Sequence, residues 1–387
     1  MRSAFNEDHL YRLLLLKEVK QWYRHHMING EQWDRIRKQY TSPLYHPNLA
    51  IRLLILLGTL LALWGVGGII FIQILEGIGP KGLAVAAILY GTGSFVALNY
   101  HVAKNQHYKS GVNEAILYQS LGFTLGGLIV LLETDISPSL LICFIGLAFS
   151  AWRYLDLLST AGATGCLAGF VFMVLHDAGG VFQAIIPFAM MALAGIVYII
   201  IRHLEKDPSR WPWSDVLLVA KALSLVLIYA SVNYFVVREL SISMMNLQLE
   251  EGEDIPFAGI FYVLTCLVPL VYLWFGIRNR DLVLLRISLL AIAFTVFTFR
   301  YYFSIGHPEI ILTIAGAILM GISYWLFQYL KVVRGGFTRD ALLAEKWSHV
   351  NVEAFVFSQT LGGNVAPEQK FKGGGGEFGG GGATGNL

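Results

Sequence analysis

The 387-residue chain is 56% hydrophobic, has a mean hydropathy of +0.59 and carries charge on only 14% of its residues. Soluble domains carry about 25% charged residues, so this composition excludes an ordinary water-soluble fold and indicates a membrane protein. The net charge of +2 excludes a broad basic surface, and no nucleic-acid partner is expected. Cys143, Cys166 and Cys266 lie inside apolar runs, and their odd number argues against a disulfide framework or a zinc site.

Residues 1–48 precede the first long apolar run and predict a pair of amphipathic helices. Apolar residues recur at helical spacing in HLYRLLLLKEVKQWYRHHM, and in INGEQWDRIRKQY Asn29 is expected to cap a second helix with Gln32 as its reciprocal partner. The hairpin is interpreted as a membrane-surface pair or as a docking module for a protein partner, and the two are compatible. The expected partner surface comprises Trp22, Ile28, Glu31, Gln32, Trp33, Ile36 and Tyr40.

Ten apolar segments are long enough to cross a bilayer, which takes about 20 residues. They run near 50–75, 83–103, 112–132, 137–153, 157–176, 182–201, 214–237, 257–277, 282–303 and 309–331. The fourth and fifth are separated only by SAWRYLDLLS, where Arg153 and Asp156 are three residues apart and are expected to pair. Gly122 and Gly126, like Gly165 and Gly169, are four apart and predict close helix packing.

Basic residues in the connecting segments predict the orientation. Lys and Arg concentrate before the first span, in every second loop and after the last span, whereas the alternate loops hold few of them. Because cytoplasmic loops carry the excess of Lys and Arg, both termini are expected to face the cytoplasm. The predicted fold is an all-α polytopic membrane protein with a cytoplasmic hairpin at 1–48, a ten-span domain at 49–331 and a cytoplasmic tail at 332–387.

The N-terminal segment resembles a known family. LKEVKQWYRHHMINGEQWDRIRKQY, followed by many spans, is similar to the start of the uncharacterised bacterial predicted-membrane-protein family called domain of unknown function 2157. The residues that match its pattern are Trp22, Ile28, Glu31, Gln32, Ile36 and Tyr40. The resemblance implies a bacterial cytoplasmic (inner) membrane location and no particular chemistry.

The C-terminal tail resembles a second group of proteins. FGGGGATGNL is similar to the glycine-rich tail of bacterial membrane-anchored proteins bearing the TPM domain, although this chain ends in Leu rather than Trp and contains no TPM domain. The glycine runs at 373–376 and 379–382 cannot pack a core and predict a flexible coil. The similarity implies a shared cytoplasmic partner or processing system.

Ionisable residues inside a span are costly and are functional candidates. Lys221 lies about 10 Å into the seventh span, and Glu114 or Asp156 is its expected partner. The residues expected to line one cytoplasm-facing polar site are Lys221, Glu114, Asp156, Arg153, Arg286, Asn99 and His101. A second candidate site, at the outer face, comprises His176, Asp177 and Arg300.

No nucleotide-binding, zinc-protease or hydrolase motif is present in the sequence, so neither a catalytic residue nor a metal or other cofactor is predicted. The leading hypothesis is a membrane component that recruits a cytoplasmic partner through its hairpin or glycine-rich tail, or that organises the envelope. The alternative is a small-solute transporter with an internal charge pair around Lys221. An intramembrane enzyme ranks last.

Overall fold

The structure is a computed structural model that describes residues 3–24, 26–45, 47–75, 79–244 and 253–302, and the pairs 316–317, 320–321, 324–325 and 328–329. Within these ranges the chain is helical, and β-structure is limited to one isolated bridge between Tyr45 and His107. The helices are α1 Glu7–Arg24, α2 Gly30–Gln39, α3 Leu49–Leu75, α4 Pro80–Asn105, α5 Val112–Leu132, α6 Ile136–Tyr154, α7 Leu157–Ala178, α8 Val181–Leu204, the 3-10 helix Pro208–Trp213, α9 Ser214–Val232, α10 Tyr234–Ser243, α11 Ala258–Asn279 and α12 Leu282–Tyr302.

Nine of the helices in the described ranges are long and apolar enough to cross a membrane: α3 to α8, α9 together with the 3-10 helix before it, α11 and α12. Large apolar side chains such as Leu54, Leu61 and Trp64 are exposed along α3. Lipid, unlike water, tolerates such a surface, so the predicted all-α multi-span class is confirmed. The predicted tenth span and the tail lie outside the described residues, apart from the four pairs.

The predicted break between the fourth and fifth spans is confirmed. Leu155 takes a left-handed backbone conformation between α6 and α7, with φ +56°. Asp156 then caps α7, because its carboxylate accepts a hydrogen bond from the amide of Ser159 at 2.7 Å.

The predicted end of the seventh span, near residue 237, is wrong. Helix α9 ends at Val232, and Asn233 caps the separate helix α10 by accepting a hydrogen bond from the amide of Val236 at 3.3 Å. A short amide side chain that bonds a nearby backbone amide favours a helix start over a helix interior. The hydropathy of residues 214–237 does not predict this break, because the segment is mainly apolar.

The membrane helices pack chiefly as sequential hairpins: α4 with α5, α6 with α7, α8 with α9, and α11 with α12, while α3 lies against α5. Helices α4 and α5 approach each other closely at two glycines. A Cβ atom on Gly91 would lie 2.4 Å from the Thr124 hydroxyl and 2.7 Å from its amide nitrogen, and one on Gly127 would lie 2.8 Å from the carbonyl of Ala84. Glycine is required at both positions because the two backbones come this close.

The predicted close packing at Gly122, Gly126 and Gly165 is wrong, since a Cβ on each of them would meet nothing within 4 Å. At Gly169, in contrast, a Cβ would lie 3.2 Å from the Leu140 side chain. The helix face on which a glycine lies determines whether it is in close contact. Gly127 faces α4, whereas its neighbour Gly126 is turned away from that contact.

Helix ends alternate between two ends of the bundle. The end that carries α1 and α2 also holds the loop 106–111, the turn 155–156, the 3-10 helix and the turn 280–281, and is called here the N-terminal face. The other end, which includes α10, is called the opposite face. A hydrophobic cluster under the N-terminal face joins Phe5 and Leu10 to Leu98, Tyr154 and Trp213.

Candidate functional site

Helix α1 is fixed to the N-terminal face. Leu10 and Val19 are each only 1% exposed. The amide of Ala4 donates to the carbonyl of Arg153 at 2.8 Å, and the Tyr11 hydroxyl donates to the carbonyl of Pro208 at 3.0 Å. The segment from Ala4 to Leu13, which includes the first part of α1, is therefore packed against the bundle.

Helix α2 is well formed but exposed. The predicted capping box is confirmed: the Asn29 side chain accepts from the Gln32 amide at 2.8 Å, and the Gln32 side chain accepts from the Asn29 amide at 3.0 Å. Trp33 stacks on Tyr23 of α1 with a ring separation of 6.1 Å. Helix α2 buries none of its residues, so it presents most of its surface outward.

The other predicted partner residues are exposed or half-buried. Trp22 and Tyr40 are both 37% exposed, and Ile28 and Ile36 are half-buried. Glu31 forms an exposed ion pair with Arg35 at 3.4 Å, of the kind that contributes little stability. The seven residues therefore lie together on the α1–α2 hairpin.

Beneath α1, the loop 106–111 brings polar side chains into the bundle. Nδ1 of His101 lies 3.0 Å from Oδ1 of Asn113, and the Asn113 side-chain amide donates to the carbonyl of His107 at 2.6 Å. The rings of His101 and His107 meet edge to face at 4.9 Å. Burial, and next the proximity of His101, lower the pKa of His107.

Glu114 forms a buried ion pair at the start of α5. Its carboxylate lies 3.0 Å from the Arg52 guanidinium and accepts from the amide of Gly111 at 2.7 Å. Gly111 has φ +93°, and a Cβ there would lie 2.3 Å from the carbonyl of Arg52. Only glycine fits this turn, which places Arg52 beside Glu114.

The predicted pairing of Arg153 with Asp156 is wrong. Asp156 accepts from the Tyr118 hydroxyl at 2.9 Å in addition to capping α7, whereas Arg153 donates to Oδ1 of Asn99 at 2.9 Å. The same Asn99 oxygen accepts from the Tyr154 hydroxyl at 3.1 Å. Because the helix breaks at residue 155, the two residues no longer share the helix face on which the predicted pairing depended.

The predicted pairing of Lys221 with Glu114 or Asp156 is also wrong. The Lys221 ammonium lies 2.9 Å from Asp281 and 3.2 Å from Glu205, and the lysine is 7% exposed. It faces the end of α8 and the α11–α12 turn, whereas Glu114 and Asp156 belong to helices α5 and α7. The three charges connect the end of α8 and the α11–α12 turn to the interior of α9.

The contact with Lys221 lowers the pKa of Asp281. Burial on its own would raise the pKa of Asp281, but the hydrogen bond and charge of Lys221, together with the amides of Val283 and Leu284, hold it below its usual range. The expected single polar site is therefore divided into two groups. Lys221 belongs to one, whereas Asn99, His101, Glu114, Arg153 and Asp156 lie around α4 to α7; Arg286 is exposed on α12.

At the opposite face, His176 and Asp177 are neighbours but Arg300 is separate. Nε2 of His176 lies 3.1 Å from the carbonyl of Met244, and the Asp177 carboxylate accepts from Ser137 at 3.0 Å. Arg300 is exposed on α12, and no hydrogen bond or ion pair joins it to the other two within the described part of the chain.

The helix break at Asn233 is surrounded by hydroxyl groups. The Asn233 side-chain amide donates to the Tyr229 hydroxyl at 2.9 Å and to the Thr298 hydroxyl at 3.1 Å. The amide of Tyr234 donates to the Thr265 hydroxyl at 2.9 Å. Thr265 lies about 10 Å into α11 from Ala258, so this network is at membrane depth.

Pro269 adds to the same network. A proline has no amide hydrogen, so the carbonyl of Thr265, one turn earlier, loses its helical partner. The hydroxyl of Thr295 on α12 donates to that carbonyl at 2.9 Å. The sequence analysis did not predict this network, whose signal was a set of threonines and one asparagine in apolar segments.

An apolar cavity of about 90 Å³ lies beside the break, between α7, α8, α9 and α10. Its lining includes Phe172, Pro187, Met190, Ser231 and Val237. The apolar lining of this cavity suits a small apolar group rather than a polar solute.

Four buried polar atoms have no hydrogen-bond partner among the described residues, and all lie between α4 and α6: His107 Nδ1, Ser110 Oγ, Gln119 Oε1 and Arg153 Nε. Unpartnered atoms of this kind require an explanation such as water or an ion. Over the same ranges, no group of three His, Cys, Asp or Glu side chains could hold a metal ion.

Comparisons with protein-family models, with curated proteins and with solved structures find no match to this chain. The two family resemblances therefore stay predictions. The structure is that of a multi-span all-α membrane protein. Its N-terminal face carries the hairpin in which α1 is fixed and α2 is exposed.

Proposed function

We propose that the protein recruits a cytoplasmic protein partner to the membrane through the exposed surface of α2. The observation that carries this proposal is the contrast within the hairpin. Helix α1 is anchored to the bundle by Leu10 and Tyr11, whereas α2 is capped at its start and buries no residue. A rigid exposed helix avoids much of the ordering cost that a flexible segment would pay on binding.

The proposal includes the orientation with both termini in the cytoplasm of a bacterial inner membrane. Basic residues in the loops of the N-terminal face support it. A cysteine at exposed Gln39 should resist a membrane-impermeant maleimide in intact cells, and one at Val181 on the opposite face should react. The reverse labelling would refute the orientation.

Photo-crosslinking tests recruitment directly. A photoreactive residue at Gln39 should give one discrete protein adduct in cells, and the same residue at Val181 should not. The double variant Asp34→Lys, Lys38→Glu alters two exposed positions of α2 and should abolish the Gln39 adduct while leaving expression unchanged. An adduct that survives this double variant would contradict the proposal.

The structure changes how the hairpin should be tested. Deleting residues 1–45 would remove Leu10 and the contacts of α1 with the bundle, so loss of function would not distinguish partner binding from misfolding. Surface changes confined to α2 avoid this. The glycine-rich tail is a second proposed recruiting element, and its removal at residue 365 is the matching experiment.

Small-solute transport is a second candidate, and the break between α9 and α10 favours it. Interrupted membrane helices commonly form transporter sites, and Asn233 at the break is fully buried among hydroxyl groups. Lys221 supports transport less, because two carboxylates already hold it. Proteoliposomes should then swell in gradients of small polyols faster than empty liposomes, and Asn233→Leu should abolish the difference; equal swelling of protein-containing and empty liposomes would exclude transport of these solutes.

A further inference from the structure

We infer that the Arg153 guanidinium, which lies between α4 and α6 at the N-terminal face, binds a phosphate-type anion. Arg153 donates to Asn99 at 2.9 Å, and its guanidinium carbon lies 5.8 Å from the centre of the Tyr154 ring. Within the described ranges no carboxylate forms an ion pair with Arg153, and Asp156 is held by Tyr118 instead.

The Nε atom shows that this arginine is not simply extended into water. An arginine near the end of a span usually reaches its charged group to the interface. Here Nε is buried and has no hydrogen-bond partner. A partly buried cation without a carboxylate partner is costly at this depth, and an anion that accepts from the Nη atoms of the guanidinium would offset that charge.

The geometry around Arg153 is rigid. Asn99 Oδ1 accepts from both Arg153 and the Tyr154 hydroxyl, which fixes the guanidinium against the ring. The Phe95 ring on α4 lies 6.3 Å from Phe149 and 6.0 Å from Tyr154 on α6. Phe95 and Tyr154 therefore pack beside Arg153 on the bundle side.

An exposed apolar side of α6 extends from Arg153 towards the membrane interior. Ile145, Phe149 and Arg153 follow one another at intervals of four residues, so they share one helix face. Ile145 is 60% exposed and Phe149 is 39% exposed. A basic group above an exposed apolar stripe matches the headgroup and acyl chain of a phospholipid, and a guanidinium fork matches phosphate oxygens.

Lipid binding to the whole purified chain tests the inference. Delipidated protein in detergent is titrated with phosphatidylglycerol and with diacylglycerol of the same acyl chains, and bound lipid is counted by native mass spectrometry. Phosphatidylglycerol should bind, diacylglycerol should bind at least about tenfold more weakly, and Arg153→Gln should lose about tenfold or more in affinity for the phosphate-bearing lipid. Arg286→Gln is the matched control, because Arg286 is an exposed arginine near the same face and should leave binding unchanged.

Inorganic phosphate forms a separate arm. If it competes with phosphatidylglycerol in wild type but not in Arg153→Gln, the anion site is supported and a free anion can fill it. If it does not compete while the lipid binds through Arg153, the lipid headgroup is the ligand. Equal binding of diacylglycerol and phosphatidylglycerol by wild type would overturn the inference without any variant, as would unchanged phosphatidylglycerol binding by a folded Arg153→Gln.

Discussion

Gly91 offers the sharpest test of the packing that positions the polar groups of α4 and α5. A methyl group at this position would lie 2.7 Å from the Thr124 amide nitrogen and 2.9 Å from the carbonyl of Ser120. Both are backbone atoms that cannot rotate away. Reaching an ordinary contact of 3.4 Å therefore requires the two helices to separate by about 0.7 Å.

The expected cost of Gly91→Ala follows from this separation. Overpacking of a tight contact costs about 1–3 kcal/mol, whereas alanine gains up to about 1 kcal/mol over glycine in helix propensity. Gly93 lies on the same helix and has nothing within 4 Å of its position for a Cβ, so Gly93→Ala has the propensity gain without the clash. The two variants should therefore differ in free energy of unfolding by about 1–3 kcal/mol.

Unfolding in mixed micelles by added sodium dodecyl sulphate, followed by circular dichroism, measures both variants under one set of conditions. Gly91→Ala should unfold at a lower mole fraction of denaturing detergent, and Gly93→Ala at the wild-type value or above it. Equal midpoints for the two variants would refute the close contact of α4 with α5.

Three further predictions concern the polar groups. Lys221→Met strands Asp281 inside the bundle and should lower the free energy of unfolding by about 3 kcal/mol, and adding Asp281→Asn should recover at least half of that loss in the same unfolding assay. Thr295→Val removes the donor to the carbonyl that Pro269 leaves free and should cost about 1–2 kcal/mol, with a smaller cost when Pro269→Ala restores an amide; a double-mutant cycle by thermal unfolding measures the coupling. Burial and a neighbouring histidine lower the pKa of His107, so as the pH falls the unfolded state binds a proton before the folded state does. The stability that neutral His107 contributes is therefore present above about pH 6.5 and is lost as the pH falls through the folded pKa. His107→Gln should flatten the dependence of the unfolding midpoint between about pH 5 and 7.

The candidate sites were only partly predictable. The capping box of α2 was predicted residue by residue, because it depends on neighbours only three positions apart, whereas the partner surface of the hairpin stays a prediction. The polar residues near the N-terminal face were also identified, since ionisable groups stand out in apolar segments. Their partners were predicted wrongly, as Lys221 and Arg153 show.

Sequence alone determined the membrane class, the nine described spans and the break at residue 155, because hydropathy and charge are properties of consecutive residues. Only the tertiary structure decided which helix faces meet. Successive residues of a helix point about 100° apart. The rotation of α9 about its own axis, which a hydropathy profile does not record, therefore decides that Lys221 pairs with Asp281 and not with Glu114. The break at Asn233 depended on the same information, because hydroxyl groups from α11 and α12 stabilise it from across the bundle.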